Sequence, residues 1–143
     1  MKKIIVTFIL IICTYTAKPQ RYTETYIKDA NKVALNWLNN INNNRFSKGF
    51  EILDKEIKNR TDSVDWCLQV KELMTDFGRL NERIVISKEF TSQLEGLPDG
   101  FYVKVEYSSN YENTYDHTEV VLLRQSDQLE WKIIDFNYEY KNK

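Results

Sequence analysis

Hydrophobic positions in the first half of the chain recur with the period of an α-helix. Between residues 24 and 43 the apolar side chains are spaced three and four apart, which predicts one long amphipathic helix. A second helix is expected from Ser47, a residue type that caps helices, and a third over residues 63–77, with Gly78 as its C-terminal stop. The expected buried faces of the second and third helices consist of Phe46, Phe50, Leu53, Ile57, Trp66, Val70, Leu73 and Phe77.

The second half of the chain changes to the two-residue period of β-strands. Four strands are predicted, with Ile84 and Ile86 on one side of the first. A turn is expected over residues 97–100 and a polar connection over residues 108–116. The predicted strands cover residues 83–90, 101–107, 119–124 and 131–138.

Helices followed by strands predict an α+β fold. N-terminal helices should pack on a curved, mainly antiparallel four-stranded sheet, because the last three strands are joined by short connections that favour a meander. Residues 120–123 and 131–136 are apolar on both faces, so the sheet face away from the helices is expected to be partly covered. A second copy of the chain, the C-terminal tail and long neighbouring side chains are the alternatives, and we favour a homodimer through the sheet.

The N-terminal segment has the layout of a secretory signal peptide. Lys2 and Lys3 precede an apolar run of about 10 residues that ends at Cys13, against the roughly 20 needed to span a bilayer. Cleavage is expected after Ala17, which leaves no membrane span in the mature chain and predicts a periplasmic or secreted protein. The sequence therefore divides into a signal peptide (1–17), an N-terminal extension (18–27) and a single α+β domain (28–140).

Cys13 leaves a lipid anchor as an alternative to release. Bacterial lipoproteins carry a cysteine directly after the apolar run, and this cysteine is lipidated after cleavage. The residue before that cysteine is small in such proteins, whereas Ile12 is large. A released protein is therefore favoured over a lipid-anchored one.

Composition and charge exclude several classes of function. The net charge of -1 provides no basic surface of the kind that binds nucleic acid or anionic membranes. Without the signal peptide, Cys67 and His117 are the only cysteine and the only histidine, so no metal site is expected. The sequence has no Gly-rich phosphate loop, so no cofactor is expected. We interpret Cys67 as a buried small hydrophobe and His117 as a solvated residue in or beside a turn.

Four large side chains are candidates for core packing or for a ligand pocket. Trp37, Trp66 and Trp131 are most simply core residues, but one of them could line a pocket at the mouth of the fold. Arg83 opens a strand and is expected to pair with Glu119; the alternative is that it binds an anion in the pocket. The candidate pocket residues are therefore Trp37, Arg83 and Trp131.

Two carboxylates are candidates for acid–base catalysis. Glu119 and Asp135 each share strand parity with apolar residues, and a carboxyl group on an apolar face can act as a base. Tyr107 or Tyr102 could supply a second group. An enzyme of this kind needs a cavity of about 300 Å³ or more beside the carboxylate.

Landmark residues follow one another along the chain in a distinctive order. They are the Ala34–Leu38 stretch, Phe46, Phe50, Trp66, Gly78, Arg83, the Pro98–Tyr102 stretch, Glu119 and the Trp131–Ile133 stretch. In this order and spacing the chain resembles the domain-of-unknown-function 4019 family over roughly residues 28–138. The resemblance implies an exported bacterial domain with a nuclear-transport-factor-like (cystatin-like) α+β cone, and no established activity. One position departs from the family pattern, which has an arginine where this chain has Met74.

The sequence favours a non-catalytic, extracytoplasmic binding or protein-interaction module. This interpretation depends on the lack of a nucleophile–base pair, a metal-ligand cluster and a cofactor loop. The alternative is a small-molecule isomerase or dehydratase that uses a pocket carboxylate and a tyrosine. The partner is an unspecified small ligand or protein.

Overall fold

A computed structural model describes residues 19–143, in which four helices are followed by four strands. The helices are α1 (Pro19–Asn42), α2 (Phe46–Ile52), α3 (Lys55–Arg60) and α4 (Ser63–Phe77). The strands are β1 (Leu80–Thr91), β2 (Tyr102–Tyr111), β3 (Thr114–Gln125) and β4 (Trp131–Asn142). The four strands form one antiparallel sheet in the order β1-β2-β3-β4, which confirms the predicted α+β class and the meander. The predicted signal peptide and Cys13 lie outside the described residues.

The third predicted helix is α4, and its bounds are those expected from the sequence. The Asp62 carboxylate caps its N-terminus by accepting bonds from the next turn, at 2.8 Å from the Val64 amide and 3.2 Å from the Asp65 amide. Gly78 ends the helix with φ +77°, a conformation that residues with a Cβ adopt at a cost. None of the helices in residues 19–143 is long and apolar enough to cross a membrane.

The second predicted helix is wrong as a single element, because it divides into α2 and α3. Leu53 leaves the helix and makes a parallel β-bridge with Ile133, and the Asp54 amide donates to the Ile133 carbonyl at 2.8 Å. The Asp54 side chain then caps α3. Ser47 caps nothing: the residue before α2 is Arg45, which makes no side-chain capping bond.

The region predicted as a polar connection is the tip of the β2–β3 hairpin. β2 continues to Tyr111 and β3 begins at Thr114, so most of residues 108–116 pair in the sheet. Asp116 has φ +50° at a register shift in the β3–β4 pairing. The prediction of a solvated His117 is wrong, since its side chain points into the protein and is only 2 % exposed.

The core lies between α1 and one face of the sheet. Its fully buried members include Ala34, Leu38, Ile41, Val105, Val121 and Leu123. The opposite sheet face, away from the helices, is called the outer face here. Ile84 lies on it and is 56 % exposed, and Ile86 is 55 % exposed, so neither is buried by the described part of the chain. Val120 and Leu122 alternate with the core residues of β3 and are half-buried on the outer face.

Candidate functional site

An ion pair lies buried between the sheet and the helices. Arg83 on β1 and Glu119 on β3 face the same side of the sheet, on either side of β2. The Arg83 guanidinium donates from Nε to Glu119 Oε2 at 2.7 Å and from Nη2 to Oε1 at 3.0 Å. The two side chains are 7 % and 0 % exposed. The pair predicted from the sequence is therefore formed, with the two-point geometry that suits guanidinium and carboxylate.

Three further side chains complete what we call the buried ion-pair cluster: Asn42, Ser109 and Tyr111. Ser109 and Tyr111 each donate a hydroxyl to Glu119, the latter at 2.7 Å. Tyr111 Oη and Asn42 Oδ1 accept from Arg83 Nη2, at 2.7 Å and 3.0 Å. The carboxylate thus receives four hydrogen bonds, and its charge is both paired and solvated by protein groups. All four of these hydrogen bonds come from side chains of the protein, so the carboxylate is already surrounded by its own donors.

The tyrosines near the ion pair are poorly placed for proton transfer. Burial raises the pKa of Tyr107, whose hydroxyl donates to Asn31 Oδ1 at 2.8 Å. Burial, reinforced by the neighbouring Glu119 carboxylate, also raises the pKa of Tyr111. Both hydroxyls therefore keep their protons at neutral pH and act as hydrogen-bond donors within the core.

His117 lies beside the cluster in an aromatic enclosure. Its Nδ1 is 2.8 Å from Thr114 Oγ1, whereas its buried Nε2 has no hydrogen-bond partner in the described part of the chain. The imidazole packs edge-on against Phe77 at 4.4 Å between ring centroids and stacks on Tyr140 at 5.3 Å. Burial lowers the pKa of His117 below its ordinary value of 6.5. The histidine is therefore a neutral core residue.

A cavity of about 210 Å³ opens between α4 and the outer edge of β4. Its walls are almost entirely apolar, and Asp135 is their only charged residue. The lining residues are Trp37, Ile41, Leu53, Ile57, Trp66, Val70, Leu73 and the β4 residues Ile133, Ile134, Asp135 and Phe136. A second, more open cavity of about 330 Å³ shares Trp66, Val70 and Leu73 and continues to Tyr138. We call the two together the β4 groove.

The groove exists because α4 is packed against the sheet at one end only. Trp66, Val70, Leu73 and Phe77 form one stripe along this helix, and all four were predicted to be buried. Of these four residues only Phe77 is buried, with 0 % exposure, and it contacts the rings of Tyr111 and Tyr138. The other three stripe residues are half-buried because they form the wall of the open space.

The charged side chains that line the β4 groove are all acidic. They are Asp135 in the first cavity and Glu72 and Asp76 in the second, and all three are exposed. None of them forms an ion pair with another described residue, although Asp135 accepts a hydrogen bond of 2.6 Å from Asn137. The groove therefore combines an apolar floor with a negative rim.

The sequence-predicted site residues do not come together in one place. Trp37 lines the groove, while Arg83 and Glu119 lie in the buried ion-pair cluster. Trp131 is 6 % exposed and packs against Tyr26, outside the groove. The remaining candidates are separated as well: Tyr107 and Tyr102 are buried and bond to Asn31 and to the Pro98 carbonyl, Asp135 is exposed, and Cys67 is half-buried rather than buried.

Sequence reasoning missed Asn42, Ser109, Tyr111 and His117. A signal for three of them was present. Ser109 and Tyr111 continue the alternation of Val103, Val105 and Tyr107. His117 shares the parity of Glu119 on β3. Nothing in the sequence marked Asn42, which lies among several other asparagines at the end of α1.

Comparison with known proteins gives a family for the chain. A family profile described as a protein of unknown function, DUF4019, matches residues 33–136. The chain belongs to the DUF4019 family. A search of curated proteins finds no match. The DUF4019 region contains the whole of the buried ion-pair cluster and nearly all of the β4 groove. Met74, which departs from the resemblance described above, is buried beside the cluster, with its sulfur 3.2 Å from Asn42 Nδ2.

Proposed function

We propose that this DUF4019 protein is an exported, non-catalytic binding module whose binding site is the β4 groove. The observation that carries the proposal is the apolar cavity of about 210 Å³ between α4 and β4. Cavities lined by Leu, Ile and Phe at about 150 Å³ stay dry and bind small apolar molecules. A space of this kind favours an apolar group over water, and its position at the surface makes it accessible.

The distribution of charge supports binding over catalysis. Glu119 does not line the cavities of the groove, and its charge is compensated by Arg83. Asp135 lines only the first cavity of the groove, of about 210 Å³, whereas Tyr138 lines only the second, of about 330 Å³, so Asp135 and a tyrosine share no cavity. The isomerase or dehydratase alternative remains a prediction that this geometry does not favour.

Dye binding tests the proposed site. We expect the neutral dye Nile red to gain fluorescence on binding, and Val70→Lys to abolish the gain because the long side chain fills the groove. Leu68→Lys is the matched control, since Leu68 lies on the same helix, is 59 % exposed and lines a different surface. Circular dichroism would establish that both variants fold. Loss of binding in Leu68→Lys with retention in Val70→Lys would place the dye elsewhere and contradict the proposal.

Export is the second part of the proposal and is tested by the mass of the product. When the full chain is produced in a bacterial host, we expect the protein recovered from the periplasm or medium to lack residues 1–17. Labelling with radioactive fatty acid distinguishes release from lipid anchoring, and Cys13→Ser is its control. Incorporation that depends on Cys13 would replace release by anchoring, and an uncleaved intracellular product would contradict export.

We propose in addition that two copies associate through the outer face of the sheet. Ile84 is exposed there, and Val120 and Leu122 are half-buried, so association would remove apolar surface from water. Gel filtration with multi-angle light scattering should give the mass of a dimer, and Leu122→Lys should give a monomer. A monomer of the unaltered protein at high concentration would contradict this association.

A further inference from the structure

The outer edge of β4 has room for another strand. β4 is the last strand of the sheet, so its outer edge pairs with no strand in residues 19–143 beyond the single bridge to Leu53. An edge strand presents unpaired amide and carbonyl groups, which are a template for main-chain hydrogen bonds. Most of this 12-residue strand lies beyond Ile133. The first cavity of the groove lies beside residues 133–136 of this strand, and the second reaches Tyr138.

The chain already places one residue of its own against this edge. Leu53 runs parallel to β4 at Ile133, and its side chain forms part of the groove wall. The main chain then turns away into α3, so the pairing stops after one bridge. An extended segment entering the groove beyond this point would continue the pairing that Leu53 begins.

The two sides of such a segment would meet different surroundings. Side chains on its inner side would face the apolar residues of α4: Trp66, Val70 and Leu73. Side chains on its outer side would lie beside the outward-facing residues of β4. Among these, Asp135 and Glu139 are exposed acids that form no ion pair with a described residue, whereas the charge of the exposed Lys141 is paired with Asp116 at 2.8 Å. Since side chains of a strand alternate between its faces, the complementary segment has alternating apolar and basic residues.

We propose that the β4 groove binds an extended segment of a partner protein with alternating apolar and basic residues, which adds a strand to the edge of β4. This inference rests on the proposed function, because it specifies what the groove binds. Main-chain hydrogen bonds to β4 provide affinity, and the apolar side chains in the groove provide selectivity. The acidic rim selects basic over acidic segments.

Synthetic peptides test the segment chemistry. The probe is a hexapeptide of alternating lysine and valine with blocked termini, and its control has glutamate in place of every lysine. We expect calorimetric titration to detect the lysine peptide and not the glutamate peptide. Val70→Lys should abolish binding, whereas Leu68→Lys should leave it within about twofold. Equal binding of both peptides would overturn the charge complementarity, and equal loss in both variants would overturn the location.

Backbone methylation tests whether the peptide pairs as a strand. Alternate residues of a strand direct their amides to opposite edges, so two peptides are made, one N-methylated at the valines and one at the lysines. We expect one of them to lose at least tenfold in affinity and the other to bind nearly as well as the parent. On binding, amide exchange should slow on β4 and stay unchanged on β1. Equal binding by both methylated peptides, or protection of β1 alone, would overturn strand addition.

The outcomes separate this inference from the proposed function. Nile red binding that depends on Val70, without binding of either peptide, would leave the groove as a site for small apolar molecules and overturn the peptide proposal. Failure of both the dye and the peptides would overturn the proposed site itself. A second copy of the chain at the β4 edge would appear as a dimer whose β4 amides are protected without any peptide, and would also overturn it.

Discussion

The buried ion-pair cluster and the β4 groove lie on the same side of the sheet and differ in how their side chains are surrounded. In the cluster, Arg83 and Glu119 are buried with their hydrogen bonds made by protein groups. In the groove, apolar side chains border open space, and the acids on its rim have no ionic partner among the described residues. The cluster, which holds the charged and hydroxyl groups, is closed to solvent. The groove, which is mostly apolar, is accessible.

This contrast distinguishes polar groups that belong to the core from a surface that is open to a ligand. Buried charge in a small domain is tolerated only when it is paired and hydrogen-bonded, and a fully bonded pair is then unavailable for a ligand. Binding of an apolar group in an accessible apolar space would remove apolar surface from water, and this is the physical basis of the function proposed above. The predictions below test the two regions against each other.

The largest effect is expected from breaking the ion pair. Glu119→Gln leaves the buried Arg83 charge uncompensated, which should lower the free energy of unfolding by about 3–5 kcal/mol in urea titrations. The double variant Arg83→Met with Glu119→Leu should lose much less than the sum of the single variants. A loss below about 1 kcal/mol in Glu119→Gln would show that the cluster is not the closed structural unit described above.

A smaller loss of stability is expected at the C-terminus of α4, where Gly78 ends the helix beside the buried Phe77. A Cβ on Gly78 would lie 2.8 Å from Asn113 Nδ2, and φ is +77° at this residue. Gly78→Ala should therefore lower the free energy of unfolding by about 1–3 kcal/mol. Gly96→Ala is the matched control, because Gly96 has φ +79° and no atom within 4 Å of its Cβ position. If thermal unfolding showed equal losses of stability in the two variants, the close approach to Asn113 would contribute nothing to the loss at Gly78.

Acidification should weaken the closed region through His117. Its pKa is below 6.5 in the folded protein, so the unfolded chain takes up a proton at a higher pH than the folded chain does. The stability associated with the neutral imidazole is complete above pH 6.5 and is lost as the pH falls below that value. His117→Gln should flatten this part of the stability-versus-pH curve measured by urea titration, and an unchanged slope would assign it to other groups.

The smallest effect is expected in the groove. Val70 is half-buried beside open space, so Val70→Ala should cost less than about 1 kcal/mol, whereas Phe77→Ala on the same stripe should cost about 3–5 kcal/mol. Chemical unfolding of the two variants measures the difference between the ends of α4. Similar losses would mean that the groove is closed in solution, which would also remove the basis for a binding site there.

Local signals in the sequence were sufficient for much of the fold. The bounds of α4 could be predicted because Asp62 and Gly78 act within one turn of the helix ends. The division between α2 and α3 could not, since it depends on the pairing of Leu53 with Ile133, a contact made across most of the chain. Propensity and periodicity describe neighbours in sequence, and this break is imposed by tertiary structure.

The candidate site was less predictable than the fold for the same reason. The Arg83–Glu119 pair could be anticipated, because Glu119 shares its strand face with the apolar Val121 and Leu123 and therefore needs a cation, and Arg83 opens another strand. His117 was misassigned because the predicted strand started at residue 119, five residues after the start of β3 at Thr114, although the parity of His117 with Glu119 was readable. The groove had no sequence signal of its own: Val70 and Phe77 occupy equivalent positions of one stripe and differ only in how far α4 stands from β4.

The single bridge between Leu53 and Ile133 also has a kinetic consequence. Every ladder of the sheet joins strands that follow each other in the chain, so the sheet can form from successive hairpins, whereas this bridge has to wait until β4 is in place. The contact between the helices and β4 around this bridge, which we call the seam, is then among the last parts to assemble and the first to open. A segment bound across that seam would slow local opening there, and the bound protein would resist proteases longer than the free one.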